Sequence, residues 1–140
     1  MTQRNSVALS LSERKGASMY TASEIAKKAG TTVRTIQYYD KIGLFQAAGR
    51  TGKGYRLYDD DSLPILKEIL LYRKLCFSLK DIREIMNEKE TVKKEIIRVH
   101  IEKLTRSREE LDRKIAVTAV LEQYGIEKAY ETLTAMEEKT

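Results

Sequence analysis

From Tyr20 onward the apolar residues recur at helical intervals, in short runs cut by glycine, threonine and aspartate. Thr21 and Glu24 form a T-x-x-E capping box, so a helix is predicted to begin at Ala22. Ile25, Ala26 and Ala29 share one of its faces, and Gly30 suits a left-handed end. Thr31 or Thr32 then caps a second helix that runs to about Ile42 and stops at Gly43. Two short helices joined by a Gly-Thr turn predict a helix-turn-helix. The glycines of "GRTGKG" separate Leu44–Ala47 from Tyr55–Tyr58, and the two flanks read as a β-hairpin with a basic tip. Asp60 or Asp61 is expected to cap a third helix with Ile65, Leu66, Ile69, Leu70 and Tyr72 turned inward. Pro64 is tolerated in its first turn. Ser78 and Asp81 start a fourth, carrying Leu79, Ile82, Ile85 and Met86 inward.

Beyond Glu90 the pattern changes. Val92 to Gln123 contains neither glycine nor proline, enough residues for a helix of about 48 Å. Ile97, Ile101, Leu104, Leu111 and Ile115 fall on one heptad seam, with Arg108 as its single polar member. A helix this long needs a partner along its length, and a second copy of the chain is the simplest one. Val117, Val120, Leu121 and Tyr124 form a second apolar set. Gly125 ends the run, and Ile126, Tyr130, Leu133 and Met136 mark a last short helix. The expectation is a mostly α protein. A polar tail over 1–18 leads into a DNA-binding-sized head over 19–88. A coiled-coil helix over 91–124 and a short helix or tail over 125–140 follow.

Charge sharpens this division. Residues 1–80 hold 14 Lys/Arg against seven Asp/Glu, whereas residues 81–140 hold 12 against 14. The basic half is the candidate surface for a polyanion. The second helix concentrates that character. Val33, Ile36 and Tyr39 fall on one side, and Arg34, Gln37, Tyr38 and Lys41 on the other. Arginine and glutamine reach base edges or phosphates in a major groove, and a tyrosine hydroxyl reaches phosphate. A solvated cationic helix face is the competing reading of the same spacing.

Other chemistry is poorly supplied. One cysteine and one histidine exclude a disulfide framework, multi-cysteine zinc and iron–sulfur ligation. Gly49, Gly52 and Gly54 have the wrong spacing for a phosphate-binding loop, and no Ser or Thr follows Lys53. No nucleophile–base set or paired catalytic carboxylates stand out, so no enzyme and no cofactor is expected. No apolar run of about 20 residues offers a membrane span, and a cytoplasmic location is expected.

The runs "VRTIQYYDKIGL", "GYRLY" and "LYRKLCFSL", with the long helix after them, resemble the MerR family of bacterial transcription regulators, over about residues 19–123. The VRT-hydrophobic-x-x-YD pattern is similar to the branch of thiostrepton- and multidrug-responsive activators. The resemblance implies a winged helix-turn-helix whose second helix enters the major groove and whose hairpin is a wing on the phosphate backbone. It implies a homodimer through an antiparallel coiled coil, bound to a pseudo-palindrome in an over-long promoter spacer. Distorting that spacer lets RNA polymerase, an indirect partner, engage both promoter elements, in some members on a small-molecule signal.

Carried over by position, Arg34, Thr35 and Tyr38 would read or clamp the groove, and Tyr39 would pack or touch phosphate. Tyr55, Arg56 and Arg73 would hold the backbone. Charge and position add Lys41, Arg50 and Lys53. Three departures stand out. Gln37 replaces the arginine usual before the paired aromatics, which shifts half-site preference toward adenine edges. Cys76 stands where the family has glycine, and between Leu75 and Phe77 it reads as buried packing. The cysteines of the metal-responsive members are absent, so His100 reads as a flank of the coiled coil. An inducer, if used, is expected beside Tyr124 and Tyr130. Because only a short segment follows the coiled coil, an effector-independent architectural or recombination-accessory protein remains the alternative.

Overall fold

The computed structural model describes residues 19–139, so the expected tail over 1–18 lies outside the described residues. The chain forms two compact units, the first ending at Arg83 and the second beginning at Glu84.

In the first unit, strand β1 (Met19–Thr21) leads directly into helix α1 (Ala22–Ala29). The capping box is formed: Glu24 N–H donates to Thr21 Oγ1 at 3.2 Å, and Thr21 N–H donates to Glu24 Oε1 at 2.8 Å. Helix α2 (Val33–Lys41) starts at Thr32, whose hydroxyl oxygen accepts from Thr35 N–H at 3.1 Å. Strands β2 (Gly49–Arg50) and β3 (Arg56–Asp59) form the hairpin, and helix α3 (Ser62–Lys74) follows. Helix α4 (Leu79–Asn87) begins behind Ser78, whose hydroxyl oxygen accepts from Asp81 N–H at 3.0 Å. The strands are antiparallel in the order β1-β3-β2, with Tyr20 opposite Tyr58 and Arg50 opposite Arg56. Helix α1 packs on α2, α3 and both β1 and β3. The core holds Ile25, Ile36, Phe45, Tyr58, Leu66, Ile69 and Ile82.

Three expectations need correcting. Leu44–Ala47 is not a strand. Phe45 is buried and stacks on Tyr58 with centroids 5.3 Å apart, while Leu44 and Phe45 N–H both donate to Tyr39 O at 2.8 and 3.2 Å. The segment is thus consumed in closing α2, and the hairpin's first strand moves to Gly49–Arg50. Asp61 stands at the N-cap position of α3 but its side chain makes no capping bond, and the capping carboxylate is that of Asp59. This buried carboxylate accepts from both Ser62 N–H and Ser62 Oγ at 3.0 Å. Asp60 instead accepts from the Tyr20 hydroxyl at 2.7 Å. The third correction concerns Cys76.

Helices α1, α2 and α3 end in the same Schellman pattern, in which the two residues after the helix bond back to its last turn. Gly30 N–H donates to Lys27 O, and Thr31 N–H to Ala26 O. Gly43 N–H donates to Asp40 O, and Leu44 N–H to Tyr39 O. Cys76 N–H donates to Arg73 O, and Phe77 N–H to Tyr72 O. The pivot residue has φ of +77° at Gly30, +76° at Gly43 and +69° at Cys76. Cys76 is the only non-glycine described with positive φ, and its side chain is exposed rather than buried. A left-handed L-residue costs about 1–2 kcal/mol, partly offset by glycine's greater freedom in the unfolded chain. Cys76→Gly should therefore stabilise the protein by about 0.5–1 kcal/mol, seen as a higher urea midpoint at unchanged slope. A lower midpoint would show that the thiol makes a compensating contact.

The second unit is dominated by helix α5 (Glu90–Tyr124, 35 residues). At Gly125, φ +91°, the chain turns into helix α6 (Ile126–Glu138), which folds back along α5. Ala129 is buried in this packing. His100, beside the seam, is the one buried residue of α5. Along the predicted seam of the single chain, Ile101, Leu104, Leu111 and Ile115 are 57, 45, 57 and 65% exposed. Arg108 is exposed beside them and Ile97 half-buried. No helix of the described residues is long and apolar enough to cross a membrane.

Candidate nucleic-acid interface

Helix α2 divides as its spacing predicts. Ile36 and Tyr39 are buried, which anchors the helix, while Arg34, Gln37, Tyr38 and Lys41 are exposed. Thr35 is half-buried, its hydroxyl hydrogen-bonded to that of Thr32 at 3.0 Å. The first turn of α2 borders a recess of about 350 Å³ lined by Thr32, Arg34, Thr35, Tyr38, Tyr39, Arg73 and Leu79. Arg73 comes from the far end of α3 and is brought here by the turn it braces, donating from Nη1 to Phe77 O at 2.9 Å. A guanidinium has five donors, and this bond uses one. Arg34 makes no hydrogen bond or ion pair among the described residues, so its fork is available to a ligand.

The hairpin tip is organised by one side chain that the sequence reading passed over. The Thr51 hydroxyl oxygen accepts from Lys53 N–H at 3.2 Å and Tyr55 N–H at 3.1 Å. Thr51 O accepts from Gly54 N–H at 2.9 Å, closing a turn that Gly54 leaves with φ +88°. Arg50 Nη1 donates to Gly54 O at 3.0 Å. Lys53 and Tyr55, the latter 68% exposed, are held outward on this ordered loop.

Arg56 does not project freely. Its Nε donates to Asp40 Oδ2 at 2.7 Å, an ion pair between β3 and the last turn of α2, with both partners partly buried. Beside it lies Tyr58, fully buried, its hydroxyl without a hydrogen-bond partner among the described residues. Burial first, and then the Asp40 carboxylate, push this phenol above its ordinary value, while Arg56 and Arg50 pull it down. A second tie holds the same end of α2: Arg83 Nη2 donates to Ile42 O at 2.6 Å. That places a cation at the negative end of the helix. Neither Asp40 nor Arg83 was singled out from sequence. The "YYD" and "GYR" motifs contain the two partners of the ion pair, but only the fold brings them together.

The first unit therefore presents a helix face of free donors, an aromatic, and a braced basic hairpin, the parts needed to follow a duplex backbone and reach into a groove. The family of MerR HTH family regulatory proteins matches residues 20–89. The chain belongs to the MerR family. Its members are DNA-binding transcription regulators rather than enzymes, and the winged helix-turn-helix with a long helix is their fold. Among relatives of this MerR-family chain is the transcriptional activator mta of Bacillus subtilis, 30% identical over 96 residues, 69% of this chain and 37% of the relative. The crystal structure of the N-terminus of that protein, a multidrug transporter activator, has a TM-score of 0.65 at 29% identity, covering 71% of this chain and 94% of that one. A MerR-family regulator from Bacillus cereus gives 0.66 at 28% identity over 88% of this chain and 100% of that one. HiNmlR, a regulator lacking the sensor domain and solved on promoter DNA, gives 0.52 at 26% identity over 77% and 96%. The chain spans about a third of the length of the first curated relatives it matches.

Proposed function

We propose that this protein is a homodimeric, sequence-specific transcription regulator that acts by distorting an over-long promoter spacer. The observation that carries the reading is the free-donor face of α2, with Arg34, Gln37, Tyr38 and Lys41 exposed next to Arg73 and the ordered hairpin. A relative bound to promoter DNA supports the partner. In this reading Arg34, Thr35, Gln37 and Tyr38 contact the major groove, and Lys41, Arg50, Lys53, Tyr55, Arg56 and Arg73 contact phosphates. Tyr39 packs α2 while its edge borders the recess.

The uncovered seam of α5 supports a second copy as the dimer partner, with Ile97, Ile101, Leu104, Arg108, Leu111 and Ile115 along the contact. Two heads on one duplex match a pseudo-palindrome. Bending or untwisting a spacer costs on the order of 1–6 kcal/mol, within reach of several charge-assisted contacts. The reading extends to a small-molecule inducer. The α5–α6 cleft of about 440 Å³, with Val117, Leu133 and Met136 inside and Glu110, Arg113 and Lys114 around them, has a suitable volume. Tyr124 and Tyr130 are exposed and do not line it.

The test is transcription from two promoters that share the protein's preferred duplex and differ only in spacer length. The protein should raise transcription from the long-spacer template and lower it, or leave it unchanged, on the optimal one. Equal effects on both templates would favour an architectural or recombination-accessory role instead.

A further inference from the structure

Arg56, one of the two wing arginines read as phosphate contacts, has its Nε held by Asp40 at 2.7 Å. This bond engages the side edge of the guanidinium and leaves the two Nη groups of the end edge for another acceptor. Asp40 also places a negative charge at the end of α2, where a polyanion would approach. Both partners are partly covered, with side chains 35% and 16% exposed, so the pair is less screened than a surface ion pair. It spans 16 residues and joins β3 to α2. The Gly43 turn and Arg83 hold the neighbouring backbone of α2.

We propose that Asp40 is a positioning and specificity-determining residue: it locks the wing in register with α2, aims the end edge of Arg56 at one phosphate, and penalises DNA that cannot be met in that register. This inference rests on the DNA-contact reading above. It differs from a simple list of contacts because it assigns selectivity to a residue that touches no DNA and repels it. On a duplex of the right shape, Arg56 meets its phosphate without leaving Asp40. On other duplexes the lock prevents Arg56 from reaching a phosphate elsewhere.

The experiment compares Asp40→Asn with the unaltered protein on two probes: the tightest duplex recovered by selection from random-sequence DNA, and a random duplex of equal length. Asp40→Asn should bind the random duplex about threefold more tightly, and the ratio between the two probes should fall by at least about fivefold. The slope of log affinity against log salt on the random duplex should steepen by about 0.9, one further phosphate neutralised. A merely structural role predicts equal loss on both probes with an unchanged slope, and that result overturns the proposal. If Asp40→Asn does not fold, Arg56→Lys is read instead. Its ammonium keeps the charge but cannot hold a carboxylate and a phosphate in one fixed plane, so selectivity should fall with little change in slope. Unchanged selectivity in Arg56→Lys overturns the proposal as well. Selection that recovers no preferred duplex for the unaltered protein would instead sink the function proposed above.

Discussion

Replacing Leu111 and Ile115 with glutamate should yield a folded monomer whose affinity for the preferred duplex is about 100- to 10,000-fold weaker. These side chains are 57% and 65% exposed, so the isolated chain loses little packing when they change. In a two-fold dimer each substitution acts twice. Full burial of an isoleucine or leucine contributes about 1.5–3 kcal/mol, and an unpaired carboxylate in such a seam costs several kcal/mol more. The total exceeds what most dimer interfaces can lose. Once the heads separate, each half-site is bound alone and the effective-concentration gain of a tethered pair, about 10²–10⁴, is lost. Sedimentation equilibrium and a titration of the selected duplex measure the two consequences separately. A persistent dimer would place the interface elsewhere on the chain.

Arg34→Ala is expected to weaken binding to the preferred duplex by about 1–3 kcal/mol, with a much smaller effect on random DNA. The physical ground is geometric. Arg34 sits in the first turn of α2 beside Thr32, Tyr38 and Arg73, and it forms no hydrogen bond among the described residues. Its removal should leave the fold intact, because the packing of α2 depends on Ile36 and Tyr39 on the opposite face. Competition binding on selected and random duplexes, with the urea midpoint as control, decides the role. An equal loss on both would make Arg34 a phosphate contact with no part in reading bases.

The helix ends were legible in the sequence because capping acts within a few residues. Thr21 with Glu24, Thr32, and Ser78 with Asp81 each announce a helix start locally, and Gly30 and Gly43 announce the ends. The two faces of α2 were legible for the same reason. What escaped is non-local. Strand β1 has three residues and exists only because Tyr20 meets Tyr58 across the sheet. Leu44–Ala47 flanks the glycine-rich turn as a hairpin strand would, but the stacking of Phe45 on Tyr58 takes the segment out of the sheet. Asp59 ends strand β3, and its carboxylate also starts the next helix, a double role that no local pattern announces. Cys76 was judged by its apolar neighbours, whereas a left-handed backbone turns its side chain away from them. The Asp40–Arg56 pair needed the hairpin and α2 to be folded against each other before it could be seen.

The buried Asp59 carboxylate has a mechanical consequence. It closes strand β3 and opens helix α3 through two bonds to Ser62, so no slack linker separates the hairpin from the helix behind it. If the protein bends its duplex as proposed, a push on the tip works against a stiff lever rather than a yielding flap. Recoil would then be carried into α3, and the strain would stay in the nucleic acid.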